Sequence, residues 1–277
     1  MRKFGLITDS LNQGNYKKYI FKDASIVSLS FLGGSREIHR LDESNLDLFD
    51  MFKNESFDLM KPNLDQFIKA FKKQKALGYE YVIYLASSIG NAKMEQFARL
   101  AQTIINDSNF IVIPTHTFGP GIDFIVELLH YYQSQDLSIQ QLIKKVEESI
   151  TESLFLIQSK NIIVKSNQNK LMNMLLKLIP YQYVISFNDE YKFKFKAMKK
   201  DHILNFILNQ IELKIKEGYE PYIKIAYCTS VEEAKLLHHF IYQKYPNLNI
   251  QIYGELPFVV AKKLGINGMG IFIGVLT

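Results

Sequence analysis

Tyr81 to Ala86 is an unbroken run of β-branched, aromatic and aliphatic residues, and a few positions past its end the period changes. Ser87, Ser88, Gly90 and Asn91 follow, and then the apolar residues recur at helical spacing. A run of this length without polar alternation reads as a strand buried on both faces, which is how strands of a parallel sheet covered by helices read. The same alternation runs along most of the chain and predicts an α/β fold. Phe4 to Thr8 reads as the first strand and Ala24 to Phe31 as the second. Leu64, Phe67, Ile68 and Phe71 place a helix over 64–77, with Gly78 as its C-cap. Lys93 to Ile105 reads as a helix, Phe110 to Ile113 as a strand, and the Gly119-Pro120-Gly121 turn opens a helix from Ile122 to Tyr132. Leu137 to Ile157 reads as a long helix, either continuous or broken.

The second half repeats the alternation. Strands are expected at Ile162 to Val164, at Tyr183 to Phe187 and near Gly270 to Leu276. Tyr191 to Ala197 alternates strictly, with Tyr191, Phe193, Phe195 and Ala197 on one face and Lys192, Lys194 and Lys196 on a solvated one. One stretch echoes another: LGYEYVIYLASSIGNAKMEQFA and EGYEPYIKIAYCTSVEEAKLLHHF share a helix end, Gly-Tyr-Glu, a strand, a hydroxyl pair and a helix. Two α/β units meeting the same packing demands account for this without duplication. The expected architecture is two α/β domains, 1–157 and 158–277, each with a mainly parallel sheet and with a ligand cleft between them. No Pro/Gly-rich linker marks the division.

Composition narrows the classes. A chain of 277 residues suffices for two domains. The net charge of +5 is modest and its lysines are dispersed, which gives no ground for a nucleic-acid role. Cys228 is the single cysteine, so neither a disulfide framework nor a Cys-rich metal site is expected. The first ten residues do not read as a signal peptide, and no apolar run reaches the length of a membrane span. A cytoplasmic protein without stable membrane insertion is the expectation.

In an open parallel sheet, ligands bind beyond the carboxyl ends of the strands. Four loops fall there in the first half, beginning at Thr8-Asp9-Ser10, Leu32-Gly33-Gly34, Ser87-Ser88 and Pro114-Thr115-His116-Thr117. The serine loop leads toward a helix N-terminus, where free N–H groups favour an anion. The simpler local reading is that Ser87, Ser88 or Asn91 caps that helix. His116 is a candidate polar anchor, and Asp9 either orients backbone and serine groups or caps a turn. His238 and His239 are adjacent on a helix and cannot face one metal together. No GxGxxG, Walker A, HExxH or GxSxG signature is present.

Taken in order, several segments resemble the DegV family, bacterial two-domain proteins that bind a fatty acid. LITDS at 6–10 resembles the family's opening strand and Asp-Ser turn, and IVSLSFLGG its second strand. KPNLDQFIKAFKKQKALGYEYVIYLASS resembles its Gln-Pro-Ser turn, helix and Ser-Ser strand end. THTFGPG resembles its Ser-Met-Gly-x-Gly turn, and INGMGIFIG its terminal His-Thr-Gly-Pro-Gly segment. The order and spacing cover nearly the whole chain. There are departures: Leu59 and Met60 stand where the family has Thr and Ser, Asn91-Ala92 replaces Ser-Gly, and Ile266-Asn267 replaces His-Thr, while Gly268 and Gly270 remain. The family's Gly-Gly-Arg corresponds to the SNQNK stretch at 166–170.

The resemblance implies a non-enzymatic carrier that buries a long-chain fatty acid between its domains and needs no cofactor or metal. Family members present the fatty acid to a separate fatty acid kinase for phospholipid synthesis. The implied ligand residues are Ser87, Ser88, Asn91, Leu59, Ile266, Asn267 and Gly268, with His116 and Thr117 on the neighbouring loop. An elongated apolar cavity with a serine near its polar end is expected. The alternatives are a binder of another lipid, a protein-interaction scaffold, and a hydrolase-type enzyme using His116 with a serine, for which no triad signature is present.

Overall fold

The computed structural model describes residues 2–12, 21–29, 31–33, 36–38, 44–52, 57–59, 63–89, 92–160 and 181–277. The first half holds strands β1 (Phe4–Asp9), β2 (Ser25–Val27), β3 (Phe31–Gly33), β4 (Arg36–Ile38), β5 (Phe57–Leu59), β6 (Tyr81–Ala86), β7 (Ser88–Ile89), β8 (Ala92–Lys93) and β9 (Phe110–Pro114). Its helices are α1 (Asn45–Met51), α2 (Leu64–Ala76), α3 (Met94–Ile105), α4 (Pro120–Gln133) and α5 (Ile139–Glu152). The rest comprises β10 (Leu154–Ser159), β11 (Gln182–Asn188), β12 (Glu190–Ala197), α6 (Lys200–Lys216), β13 (Tyr222–Tyr227), α7 (Val231–Lys244), β14 (Ile250–Glu255), α8 (Phe258–Leu264) and β15 (Met269–Gly274).

The first sheet is parallel throughout, in the order β2-β1-β6-β9. Its central strands have no polar face because both faces are covered: every residue of β1 is buried, and so are Val82 to Ala86. Phe67 and Phe71 of α2 pack edge-on to Tyr84 and tilted against Phe110. Asn63 caps α2 through the Asp65 N–H, and Ser138 with Gln141 forms a capping box on α5.

The second sheet departs from the mainly parallel one expected. It is mixed, ordered β12-β11-β10-β15-β13-β14, and of its five ladders only β13–β14 is parallel. Part of the reason is that residues 154–157 do not continue a helix. At Ser153 the backbone turns extended, its hydroxyl donates to the Ser149 carbonyl and accepts from the Val275 N–H, and the chain becomes β10 between β11 and β15. The expected strand at 162–164 lies outside the described residues. The expected single strand over 24–31 is two, β2 in the parallel sheet and β3 in a small antiparallel one with β4 and β5. The alternation of β12 also breaks: a bulge opposite Val184 and Ile185 sends Tyr191 toward one core and Phe195 and Ala197 toward the other.

Helices cover both faces of the mixed sheet. On one face α6 and α7 contribute Ile203, Ile207, Ile211, Leu237 and Ile241 over Leu156, Ile223 and Ile271. On the other lie α4 and α5, with the Phe124 ring 5.5 Å from Phe272 and 5.9 Å from Tyr222. Lys224 of β13 is buried there and donates to Asp123 (2.7 Å) and Gln251 (3.1 Å), with Glu127 at 2.9 Å. Helices that precede the mixed sheet in sequence are thus one of its covering layers, and a single hydrophobic core runs from Phe4 and Phe67 through Phe118 to Phe155 and Phe272.

Candidate functional site

Three parallel strands, β1, β6 and β9, end side by side and bring their loops together. Asp9 closes β1 fully buried. Its carboxylate accepts from the Tyr84 hydroxyl at 3.0 Å, the Ser87 N–H at 3.2 Å and the Leu11 N–H at 3.1 Å. Burial pushes its pKa up to about 6, against the downward pull of the Ser87 hydroxyl, Tyr84 and the two backbone donors. Asp9 thus does both things read for it: it takes up the Ser87 N–H, and it caps the turn after β1 through the Leu11 N–H. The β6 and β9 loops are laced as well: the Ser88 N–H donates to the Thr117 carbonyl at 2.8 Å, and the Thr115 hydroxyl to the Ala86 carbonyl at 2.8 Å.

The hydroxyls of this knot are buried and, apart from that of Ser87, which acts on the Asp9 carboxylate, unspent. Thr8, Ser87, Ser88 and Thr117 each expose 5 % or less, and no hydrogen bond of full geometry satisfies their side-chain oxygens. Buried polar atoms are normally paired, so unpaired hydroxyls at adjoining strand ends make these loops a candidate polar site. The helix-cap reading of the serines does not hold. Ser88 pairs with Lys93 in the β7–β8 ladder, α3 begins only at Met94, and neither serine oxygen has a helix N–H partner. The sequence echo breaks at this point, because Ser230 in the second copy does cap its helix, accepting from the Glu233 N–H.

Directly after Thr117 the chain turns apolar. The Phe118 ring stands 4.9 Å from Phe155 and 5.0 Å from Phe187, both on the mixed sheet, and Phe155 is 5.9 Å from Phe272. Gly121 permits this turn, since a Cβ there would meet the Thr117 hydroxyl at 2.3 Å and the Phe272 ring at 2.8 Å. His116 faces the other way, its Nδ1 2.6 Å from Asp189 on the β11–β12 turn, with both residues at positive φ. His116 and Thr117 line a cavity of about 240 Å³ whose apolar wall includes Ile125, Phe155, Phe187 and Phe272.

The remaining expected residues lie apart from this knot. Ile266 is half exposed and, with Asn267, lines a second cavity of about 510 Å³ that also holds Phe49, Lys160 and Lys262. Gly268 is required by close approach: its carbonyl accepts from the Cys228 N–H, and a Cβ would meet Leu264 at 2.6 Å and Cys228 at 2.8 Å. Ser87 and Ser88 line neither cavity. Leu59 ends β5 opposite Phe31. Asn91 lies outside the described residues. Sequence reading named Thr8 only as the start of a strand-end loop, missed Tyr84 as a polar contributor because it sits in a strand-like apolar run, and missed the aromatic wall, whose members are far apart in the chain.

Two further tethers fix the geometry between the sheets. Asn45 at the start of α1 donates through its side chain to the carbonyls of Cys228 and Leu256, and its backbone N–H donates to Glu255. The Tyr253 hydroxyl donates to Asn12, beyond the end of β1. Among the described residues no cluster of three or more His, Cys, Asp or Glu side chains could hold a metal, and no helix is long and apolar enough to cross a membrane.

Comparison with known proteins gives consistent matches over the whole chain. The profile of the DegV family of uncharacterised proteins matches residues 3–275. A DegV domain-containing protein from Clostridium perfringens is 24% identical over 289 residues, covering 98% of this chain and 97% of that protein. Among solved structures, a DegV family protein from Thermus thermophilus described for its fatty acid binding superimposes with a TM-score of 0.82 at 16% identity, covering 100% of both chains. The Streptococcus pneumoniae fatty acid kinase B3 protein, loaded with linoleic acid, gives a TM-score of 0.78 at 16% identity, covering 99% of both.

Proposed function

Since the chain belongs to the DegV family, we propose that it is a carrier for a long-chain fatty acid or a closely related lipid and performs no chemistry on it. The observation that carries this reading is that buried hydroxyls without partners, those of Thr8, Ser88 and Thr117, stand at the ends of adjoining strands, and that Thr117 lines a cavity walled by Phe155 and Phe187. An amphiphile satisfies both halves of such a site, since each buried CH₂ contributes about 0.8 kcal/mol and the hydroxyls take the head group. The Thermus and Streptococcus proteins of the same fold, described for fatty acid binding and loaded with linoleic acid, support the ligand class. The Streptococcus protein's designation supports presentation of the fatty acid to a kinase; a place in bacterial phospholipid metabolism in the cytoplasm is part of the same proposal.

In this reading Ser87, Ser88 and Thr117 hold the head group. Leu59, Ile266, Asn267 and Gly268 take no part in holding it, and His116 lines the neighbouring cavity. The domain division belongs to the same proposal, placed where α5 hands over to β10 and so a few residues before 158. Native mass spectrometry of the protein purified from a bacterial host tests the function. A retained acyl chain is expected, and Ser88→Ala with Thr117→Val should weaken rebinding of linoleic acid to delipidated protein several-fold. Failure of delipidated protein to bind any long-chain lipid would leave a scaffold as the reading.

A further inference from the structure

The edge strand β12 carries a charge pattern that the hydroxyl site does not use. Between Tyr191 and Lys200 the chain has five lysines and no acid. β12 is the last strand of the mixed sheet on its side and pairs only with β11. Lys192, Lys194, Lys196 and Lys199 are exposed, and among the described residues no carboxylate pairs with any of them. Lys196 lies over the Tyr181 ring at 5.0 Å, and Lys200 is taken by Glu233. The flanking acids are Asp189, which His116 holds, Glu190 at the start of β12 and Asp201 in the first turn of α6. Lysines on an edge strand guard it against pairing with another sheet. That role accounts for the lysines alone. It does not account for Phe193 and Met198, which stand among them 52% and 59% exposed.

Exposed apolar side chains interleaved with lysines match the chemistry of an anionic bilayer surface. There ammonium groups meet phosphates, while apolar side chains and lysine stems sink into the headgroup layer. We infer that β12 and the turn into α6 dock the protein peripherally on an anionic bilayer, through Lys192, Lys194, Lys196 and Lys199, with Phe193 and Met198 as the apolar contacts. Successive side chains of a strand point to opposite faces, so an edge-on approach brings Phe193 and the lysines to the surface together. An acidic protein surface would also attract the lysines, but a bilayer accepts the two apolar side chains without needing a matching pocket. The position of β12 suits a lipid source. Lys192 and Lys194 line the cavity of about 240 Å³ walled by Phe155, Phe187 and Phe272, so docking sets that cavity against the membrane. Transfer of an acyl chain at that contact rests on the carrier reading above; the docking itself does not.

Cosedimentation of the full chain with vesicles reads the docking without any fatty acid. Vesicles of phosphatidylglycerol mixed with phosphatidylcholine should bind the protein, and vesicles of phosphatidylcholine alone should not. Binding should fall as salt rises from about 0.1 M to about 1 M, where the screening length shrinks from about 10 Å to about 3 Å. Lys192→Gln with Lys194→Gln should weaken partitioning about tenfold. Lys72→Gln with Lys73→Gln removes the same charge from exposed positions of α2 and should weaken it far less. Phe193→Ser, with every lysine in place, should weaken it several-fold. All of these substitutions are at exposed positions, and circular dichroism checks that each variant is folded. Equal binding to neutral vesicles, binding to neither kind, or equal losses from the two lysine pairs overturns the inference. Unchanged partitioning of Phe193→Ser overturns the bilayer as the occupant and leaves a charged surface for an acidic protein. Docking by a chain that binds no long-chain lipid removes the carrier reading and leaves this inference standing.

Discussion

Asp9 also acts on stability before any ligand is present. Its folded pKa, about 6, lies above the 3.8 of an unperturbed aspartate. The folded chain therefore binds the proton more tightly than the unfolded one between those values. The favourable contribution is complete below about pH 4 and is lost as pH rises through about 6, a swing of about 2 to 3 kcal/mol for a shift of this size. Denaturant titrations of wild type and Asp9→Asn at pH 4.5 and 7.5 should show the gap between them moving in the variant's favour at the higher pH. A gap that stays constant would mean that Asp9 is not buried as the structure places it. Asp9 and Ser87 were both legible as strand-end polar residues. Their contact was not, because it joins positions 9 and 87 and depends on the register of β1 against β6.

At the scale of elements, a buried ion pair ties β13 to α4. Lys224 is 1 % exposed and lies between Asp123 and Glu127. Removing one partner of such a buried group strands the others, at a typical loss of 3–5 kcal/mol, or about that here. Lys224→Met should lower the unfolding free energy by about that much, and replacing Asp123 and Glu127 with apolar residues in the same chain should recover a large part of it. In the sequence, Lys224 looks like an ordinary polar interruption of an apolar strand. Only the packing of α4 across the mixed sheet shows what it neutralises. The same packing explains why α4, whose neighbours in sequence are the parallel-sheet strands, carries apolar residues nearly all round: it is covered on several sides.

At the scale of the molecule, one core crosses from the parallel sheet to the mixed one, and Phe118 stands at the crossing, fully buried. Thermal unfolding followed by probes in each half should therefore show one transition. Phe118→Ala should destabilise the chain by about 3–5 kcal/mol and separate the two halves' transitions. Two transitions in the wild type would show that the shared core does not couple them.

What the sequence determined by itself is local in origin. The strands at 4–9, 81–86 and 110–114 and the helix at 64–76 were readable within a residue or two, since hydrophobic period and end signals are written in neighbouring residues. The ordered motifs pointed to the family as well. Tertiary structure decided the rest. Residues 154–157 continue a helical-looking stretch, yet become β10 because β11 and β15 offer backbone partners on both sides, and the mixed character of that sheet follows from pairings between distant segments. Likewise, the sequence supplied two adjacent serines, and local propensity assigned them to a helix cap. The β7–β8 ladder, the Asp9 carboxylate and the Thr117 carbonyl instead take up their backbone groups and leave their hydroxyls buried. Hydrogen bonds between residues far apart in the chain outweigh local preference there, and they leave both serines without a helix to cap.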